Sequence, residues 1–297
     1  MHKTTQQVKD LISEQIKRNR LELSLDCALN NQCLLIDGLG LSCIFYPQFL
    51  VETSKSYFDE ISEDENLDQG EIKLPFSKNL KCEPCNLIYS IESKPKEKKK
   101  GSGVDEPWIL EESPPPPTPG TPNVPNRAGF CDRCNRGLKP APVKEPRLTA
   151  WYGQPGLTYT YSGKAMSPLP WTTSLLRIKT DIEKELSINH LIVTDFTSVL
   201  INKYRDGKDY LGWHSDNEKE LGNEPVIASI SLGGARTFQF RLKDDHKKKI
   251  EIELNEGSLL VMRGKTQELW QHQIPKRSAA TADSNPRINL TFRHIMS

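Results

Sequence analysis

No stretch of the 297-residue chain is apolar for long: the longest such runs, 226–232 and 259–262, fall far short of the roughly 18 residues a membrane span needs. A membrane protein is therefore not expected. The N-terminus (MHKTTQQ) carries a basic residue but no apolar run behind it, so no secretory leader is expected and the nucleus or cytoplasm is the anticipated compartment. Cysteine is sparse and odd in number, seven in all. In a reducing compartment those thiols are free or bind metal rather than forming a disulfide framework. Charge of one sign is not in excess either, the net being +1. That near-balance hides an asymmetry, because residues 147–297 hold 21 Lys/Arg against 17 Asp/Glu and residues 1–146 hold 19 against 22. A mildly basic C-terminal half permits a polyanionic partner without demanding one.

What is present suffices for one real core: 36% of the residues are hydrophobic, and a chain of this length holds one large domain or one domain plus a flexible region. Residues 1–34 read as a tail, either an amphipathic helix through Val8, Leu11, Ile12 and Ile16 or a disordered segment. Residues 35–92 begin the fold, with two short strands broken at Gly38 and Gly40 and then a helix to about Ile61. Residues 93–145, with the Lys-rich run 94–103 and four prolines at 114–117, bury too little apolar surface to offset their ordering entropy and read as a largely disordered insertion. Residues 146–297 read as a packed β-rich domain. It holds a helix over 173–187, marked by Leu175, Ile178, Ile182 and Leu186, and strands at 199–204, 226–232, 237–241, 250–254, 258–262 and 288–292. The fold class expected is mainly β with flanking helices, a sandwich or jelly roll.

The chemistry concentrates at His214-Ser215-Asp216. On an extended chain, residues two apart project to the same side, so both polar side chains can meet one ion. Two histidines and one carboxylate on one face of a metal leave positions open for a co-substrate and oxygen, the arrangement of non-haem iron(II). His272, beside Trp270 and after the 258–262 strand, is the best third ligand; His246 lies in a Lys-rich turn and His294 near the C-terminus. Alone, His-x-Asp is more often a surface turn. The strand 287–293 (RINLTFR) changes the balance, since its period of two puts Arg287, Asn289, Thr291 and Arg293 on one face and Ile288, Leu290 and Phe292 on the other. Arginines on an inward face supply the planar fork that a small dicarboxylate needs.

His214-Ser215-Asp216, His272 and 287–293 together resemble the defining motifs of the AlkB family of iron(II)- and 2-oxoglutarate-dependent dioxygenases, in particular the branch of its second and third human members. The resemblance continues through 146–153 (PRLTAWYG), 157–163 (LTYTYSG), 200–207 (LINKYRDG), 227–233 (IASISLG) and 257–260 (GSLL). It covers about residues 146–297, with a looser match at 40–62. It implies a double-stranded β-helix in which His214, Asp216 and His272 bind iron(II). Asn202, Tyr204, Arg287 and Arg293 would hold 2-oxoglutarate, with Asn289 close by. The activity implied is oxidative removal of N-linked alkyl groups from DNA bases such as 1-methyladenine and 3-methylcytosine, with release of formaldehyde. A flipped-out base would sit against Tyr159 and Tyr161, with His214 in the opposite wall and Arg147 near the lesion strand; otherwise the two tyrosines are ordinary core aromatics. Asn217 stands where relatives usually carry Asp and is followed by Glu218, a departure that bears on lesion preference and not on the reaction. The enzyme is expected to act as a monomer.

Two Cys-x-x-Cys pairs, Cys82/Cys85 and Cys131/Cys134, form the ligand set of a structural zinc site. The 45 residues between Cys85 and Cys131 exceed the usual spacing of about 15–20, which leaves zinc and four ordinary thiols both open. Two further readings stand beside DNA dealkylation: RNA demethylation by the same chemistry, and a non-catalytic nucleic-acid-binding adaptor built on the cysteine pairs and the Pro-rich segment. The intact ligand triad and both arginines argue against the adaptor.

Overall fold

The computed structural model describes residues 3–28, 32–50, 52–67, 71–72, 79–82, 87–90, 139–140, 143–157, 159–161, 164–277 and 285–296. The chain divides into two compact units, residues 1–70 with 145–297, and residues 71–144. The first unit opens with α1 (Thr5–Arg18), β1 (Ser24–Ala28), β2 (Cys33–Gly38), β3 (Leu41–Tyr46) and α2 (Ser54–Ser62). The described residues of the second form five short strands, β4 (Glu71–Ile72), β5 (Asn79–Cys82), β6 (Leu87–Ser90), β7 (Lys139–Pro140) and β8 (Val143–Lys144). The first unit resumes with β9 (Leu148–Gly153), β10 (Tyr159–Tyr161), β11 (Lys164–Met166), α3 (Thr173–His190), β12 (Ser198–Tyr204) and β13 (Leu211–His214). It closes with β14 (Ile227–Gly233), β15 (Arg236–Leu242), β16 (Lys249–Leu254), β17 (Leu259–Met262), α4 (Thr266–Leu269), β18 (Trp270–Ile274) and β19 (Arg287–Arg293). Within the second unit, short strand pairs join β4 to β8 and β5 to β7.

Eight strands form the major sheet, in the order β1-β2-β3-β17-β14-β19-β12-β9, and four form the minor sheet, β13-β18-β15-β16. The period-two pattern of the major strands decides which core each side chain joins. Val199, Ile201, Ala228, Ile230, Leu232, Ile288, Leu290 and Phe292 pack into one cluster with Ile178, Ile182 and Leu186 of α3. Their neighbours Leu200, Tyr204, Leu260 and Met262 face the other way and pack with Phe238, Phe240, Ile252, Trp270 and Ile274 of the minor sheet. The two sheets therefore sandwich a second core, the arrangement of a jelly roll, and the functional side chains hang into it.

The N-terminal segment is a helix, closed by a capping box of Thr4 and Gln7. Val8 and Ile12 are buried against the minor sheet while Leu11 is 45% exposed. β16 is an edge strand, and α1 covers it: the Gln15 amide donates to Glu251 O at 3.0 Å and accepts from Glu251 N at 2.7 Å. One glutamine side chain thus occupies a donor and an acceptor that would otherwise be open to another chain. At the β2–β3 turn, Gly38 (φ 136) has no room for a side chain, since a Cβ would lie 2.3 Å from Glu22 O.

Candidate metal and co-substrate site

His214 ends a strand of its own, β13, across a polar turn from β12. The intervening turn 205–210 is held by a bidentate Arg205–Asp209 pair, Nε to Oδ2 at 2.8 Å and Nη2 to Oδ1 at 2.9 Å. It is held also by buried Arg236, which donates to the carbonyls of Asp206, Asp209 and Pro275. β18 likewise carries His272 within a strand, with Trp270, His272 and Ile274 buried in alternation. β13 and β18 pair so that His214 and His272 are opposite one another, their ring centroids 4.2 Å apart. Asp216 follows two residues after His214. One ligand atom from each of these three residues lies within 4.8 Å of the other two.

Each member is fixed. His214 Nδ1 lies 2.8 Å from Gly212 O; a carbonyl can only accept, so the proton is on Nδ1 and Nε2 presents its lone pair. His272 stacks on Phe238, with centroids 5.2 Å apart and planes 17° from parallel. Burial pushes the His272 imidazole down to about 3, and His214 beside it acts in the same direction. Burial also pushes the His214 imidazole down, against the opposing pull of Asp216. Both rings are therefore neutral near pH 7, the form that ligates a metal. Burial pushes the Asp216 carboxyl up, but Arg293 and the two imidazoles outweigh it and leave it well below the usual carboxylate range. Arg293 Nη2 donates to Asp216 Oδ2 at 2.7 Å, whereas buried Asp216 Oδ1 accepts no hydrogen bond from the described residues.

Behind the triad lies the polar face of β19. Arg287, Asn289, Thr291 and Arg293 are each less than 9% exposed, so this face is interior and not solvated. Arg287 donates from Nη2 to Ser231 Oγ at 2.9 Å and its guanidinium lies 5.3 Å from the Tyr204 ring centre. Among the described residues its buried Nε and Nη1 meet no hydrogen-bond acceptor, and the Tyr204 hydroxyl is likewise unmatched. Burial lowers the Arg287 pKa to about 10, against the pull of Tyr204, so the group is still cationic at neutral pH. Asn289 donates to Ser229 Oγ at 2.8 Å and to Ile230 O at 3.0 Å. Asn202, Tyr204, Asp216, His272, Asn289 and Arg293 all line one cavity between the sheets.

The remaining expected site residues fall in several places. Arg147 is 3% exposed, and its guanidinium donates to Asn202 Oδ1 at 2.7 Å and pairs with Glu145 at 3.0 Å. It is an internal group that fixes Asn202. Asn217 is exposed and Glu218 half-buried, just beyond Asp216. Tyr159 and Tyr161 are in β10, paired with β11, and their side chains lie outside the described residues. Cys82 is in β5, its side chain likewise; Cys85, Cys131 and Cys134 lie outside altogether. Sequence reasoning missed Ser229, Ser231, Arg236 and Gln267, because a serine, an arginine or a glutamine in a strand or short helix carries no mark of facing inward.

Two imidazoles and a carboxylate on one side of a shared position, with a buried cation behind them in a two-sheet antiparallel fold, define a non-haem iron oxygenase site. The donor set suits iron(II), and the two open N–H groups of Arg287 with the Tyr204 hydroxyl suit a carboxylate, so the residues fit iron(II) and 2-oxoglutarate. The chain belongs to the 2OG-Fe(II) oxygenase superfamily, whose family model matches residues 128–293. It is 44% identical over 160 residues to alpha-ketoglutarate-dependent dioxygenase alkB homolog 3 of Mus musculus, which covers 51% of this chain and 52% of that protein. The Homo sapiens homolog 3 is 43% identical over 161 residues, with 51% and 52% covered. DNA oxidative demethylase ALKBH2 of Homo sapiens is 42% identical over 158 residues, with 51% and 57% covered. The chain spans about half the length of the curated relatives it matches.

Proposed function

We propose that this protein is an AlkB-type dioxygenase that removes alkyl groups from the nitrogen atoms of damaged DNA bases. The observation that carries the reading is the His214–Asp216–His272 cluster lying in one cavity with the β19 polar face, behind which Arg287 keeps two N–H groups unmatched. The similarity to proteins named alkB homolog 3 and DNA oxidative demethylase supports a nucleic-acid substrate. His214 Nε2, Asp216 Oδ1 and His272 would hold iron(II), and Arg287 with Tyr204 would hold the far carboxylate of 2-oxoglutarate. Together the bound metal and co-substrate supply the oxidising power, as oxygen is reduced and 2-oxoglutarate becomes succinate and carbon dioxide. The residues' own work is positional. Arg293 neutralises and aims Asp216, and Gly212 O fixes the His214 tautomer. Hydroxylation of an N-linked methyl carbon gives a product that breaks down to formaldehyde and the restored base. A DNA substrate makes the nucleus the site of action, with one chain as the working unit.

The test is formaldehyde and succinate release from oligonucleotides bearing 1-methyladenine or 3-methylcytosine, as DNA and as RNA, with iron(II) and 2-oxoglutarate. Stoichiometric release from DNA is expected. Release from RNA alone would transfer the reading to RNA demethylation, and binding without release would favour an adaptor.

We further infer that Cys82, Cys85, Cys131 and Cys134 hold one structural zinc, a reading supported by two Cys-x-x-Cys pairs of the right ligand type and by the tolerance of loop closure for length. Protein purified without chelators should contain about one zinc per chain, lost in the Cys82→Ser/Cys131→Ser double variant. Elemental analysis that finds no zinc leaves four ordinary thiols.

A further inference from the structure

We infer that Gln267 is a positioning residue that sets the geometry of Asp216 and through it the affinity of the metal centre, an inference that rests on the metal-site reading above. Gln267 is 2% exposed, on the short helix α4 just before β18. Its Oε1 accepts the backbone N–H of Asp216 at 2.9 Å, and its Nε2 points at Met262 Sδ at 3.4 Å. The orientation is dictated, since an N–H can only donate and the amide oxygen must face it. Lys243 Nζ donates to the Gln267 carbonyl at 2.9 Å, which fastens the same residue to the end of β15.

Asp216 lies outside any strand, so no ladder bond holds its backbone. Two side-chain bonds take that role. Gln267 accepts from its N–H, and Ser215 Oγ donates to Trp270 O at 2.8 Å. Both tethers end in the segment 267–270, which leads within two residues to His272. A single stretch of chain thus carries the third ligand and fixes the second. Arg293 aims the carboxylate but cannot set where its Cα stands; the Gln267 bond does that. Groups that orient ligands from behind in this way typically change metal affinity by about 10–100-fold when lost.

The experiment compares Mn(II) affinity, by titration of the metal-free protein, in wild type, Gln267→Leu, Gln267→Glu and His272→Ala, with the Co(II) absorption spectrum and thermal unfolding of each metal-free protein alongside. Leucine keeps the volume but leaves the Asp216 N–H unmatched; glutamate keeps an acceptor oxygen at the same reach. Expected is a loss of about 10-fold or more in Gln267→Leu with an altered Co(II) spectrum, and recovery of most of the affinity and of the wild-type spectrum in Gln267→Glu. Wild-type affinity and spectrum in Gln267→Leu would overturn the inference. So would equal losses in both variants that track their loss of thermal stability, because those mark Gln267 as packing only. If wild type bound Mn(II) no better than His272→Ala, the metal-site reading itself would fail, and the inference with it.

Discussion

Replacing His214, Asp216 or His272 with alanine should reduce turnover to background, because each removes one of the three proposed protein ligands to the metal. The three variants should differ in stability. His272 and His214 are neutral in the metal-free protein, pushed down by burial, so their loss costs packing and little else. Asp216 is the ionic partner of Arg293, with side chains 2% and 6% exposed. Asp216→Ala therefore removes the carboxylate of a buried ion pair and should be the most destabilising of the three. Succinate release, iron content and denaturant unfolding of metal-free protein would be measured on all three. Full activity in any variant would remove that residue from the site, and equal stability of Asp216→Ala and wild type would mean that the Arg293 charge is relieved by another group.

Arg287 should govern the co-substrate and not the nucleic acid. Its guanidinium is 1% exposed, with one N–H group spent on Ser231 Oγ and two left open beside the Tyr204 hydroxyl. A cation held this way bears an unrelieved desolvation cost, visible in a pKa lowered to about 10. An incoming carboxylate would relieve it, so the pairing belongs to the binding step. Arg287→Ala should raise the KM for 2-oxoglutarate by at least about tenfold, as expected if the pair contributes about 2–5 kcal/mol. With metal present at a fixed concentration in both, adding 2-oxoglutarate should raise the Tm of wild type by more than that of the variant. Arg287→Lys should recover only part, since an ammonium lacks the planar fork. Affinity for a methylated oligonucleotide without co-substrate should not change. Loss of oligonucleotide binding with an unaltered 2-oxoglutarate KM would place this strand face on the wrong side of the cavity.

Much of the scaffold was legible in the order of residues, because it rests on periodicity. Leu175, Ile178, Ile182 and Leu186 mark α3 through helical spacing, and all four are buried on one side of it. The alternation in β19 separated Ile288, Leu290 and Phe292 from Asn289, Thr291 and Arg293, and the two sets do enter different environments. His214, Asp216 and His272 could be named because imidazole and carboxylate are metal ligands wherever the fold puts them. The strands β13 and β18 were not visible, since His, Gln and Trp alternate there in place of the β-branched residues that usually announce a strand.

What sequence alone determined about this protein is which side chains are candidates for the site and the strand or helix face on which each lies, because those follow from side-chain chemistry and from a local period of two or 3.6. Only the tertiary structure decided that the polar face of β19 is interior, that Arg147 turns inward to Asn202 and Glu145, and that Gln267 holds Asp216 from 51 residues away. These depend on which strands the long connections bring side by side. Burial and hydrogen-bond partnership are properties of that pairing, and no single residue or short segment carries them.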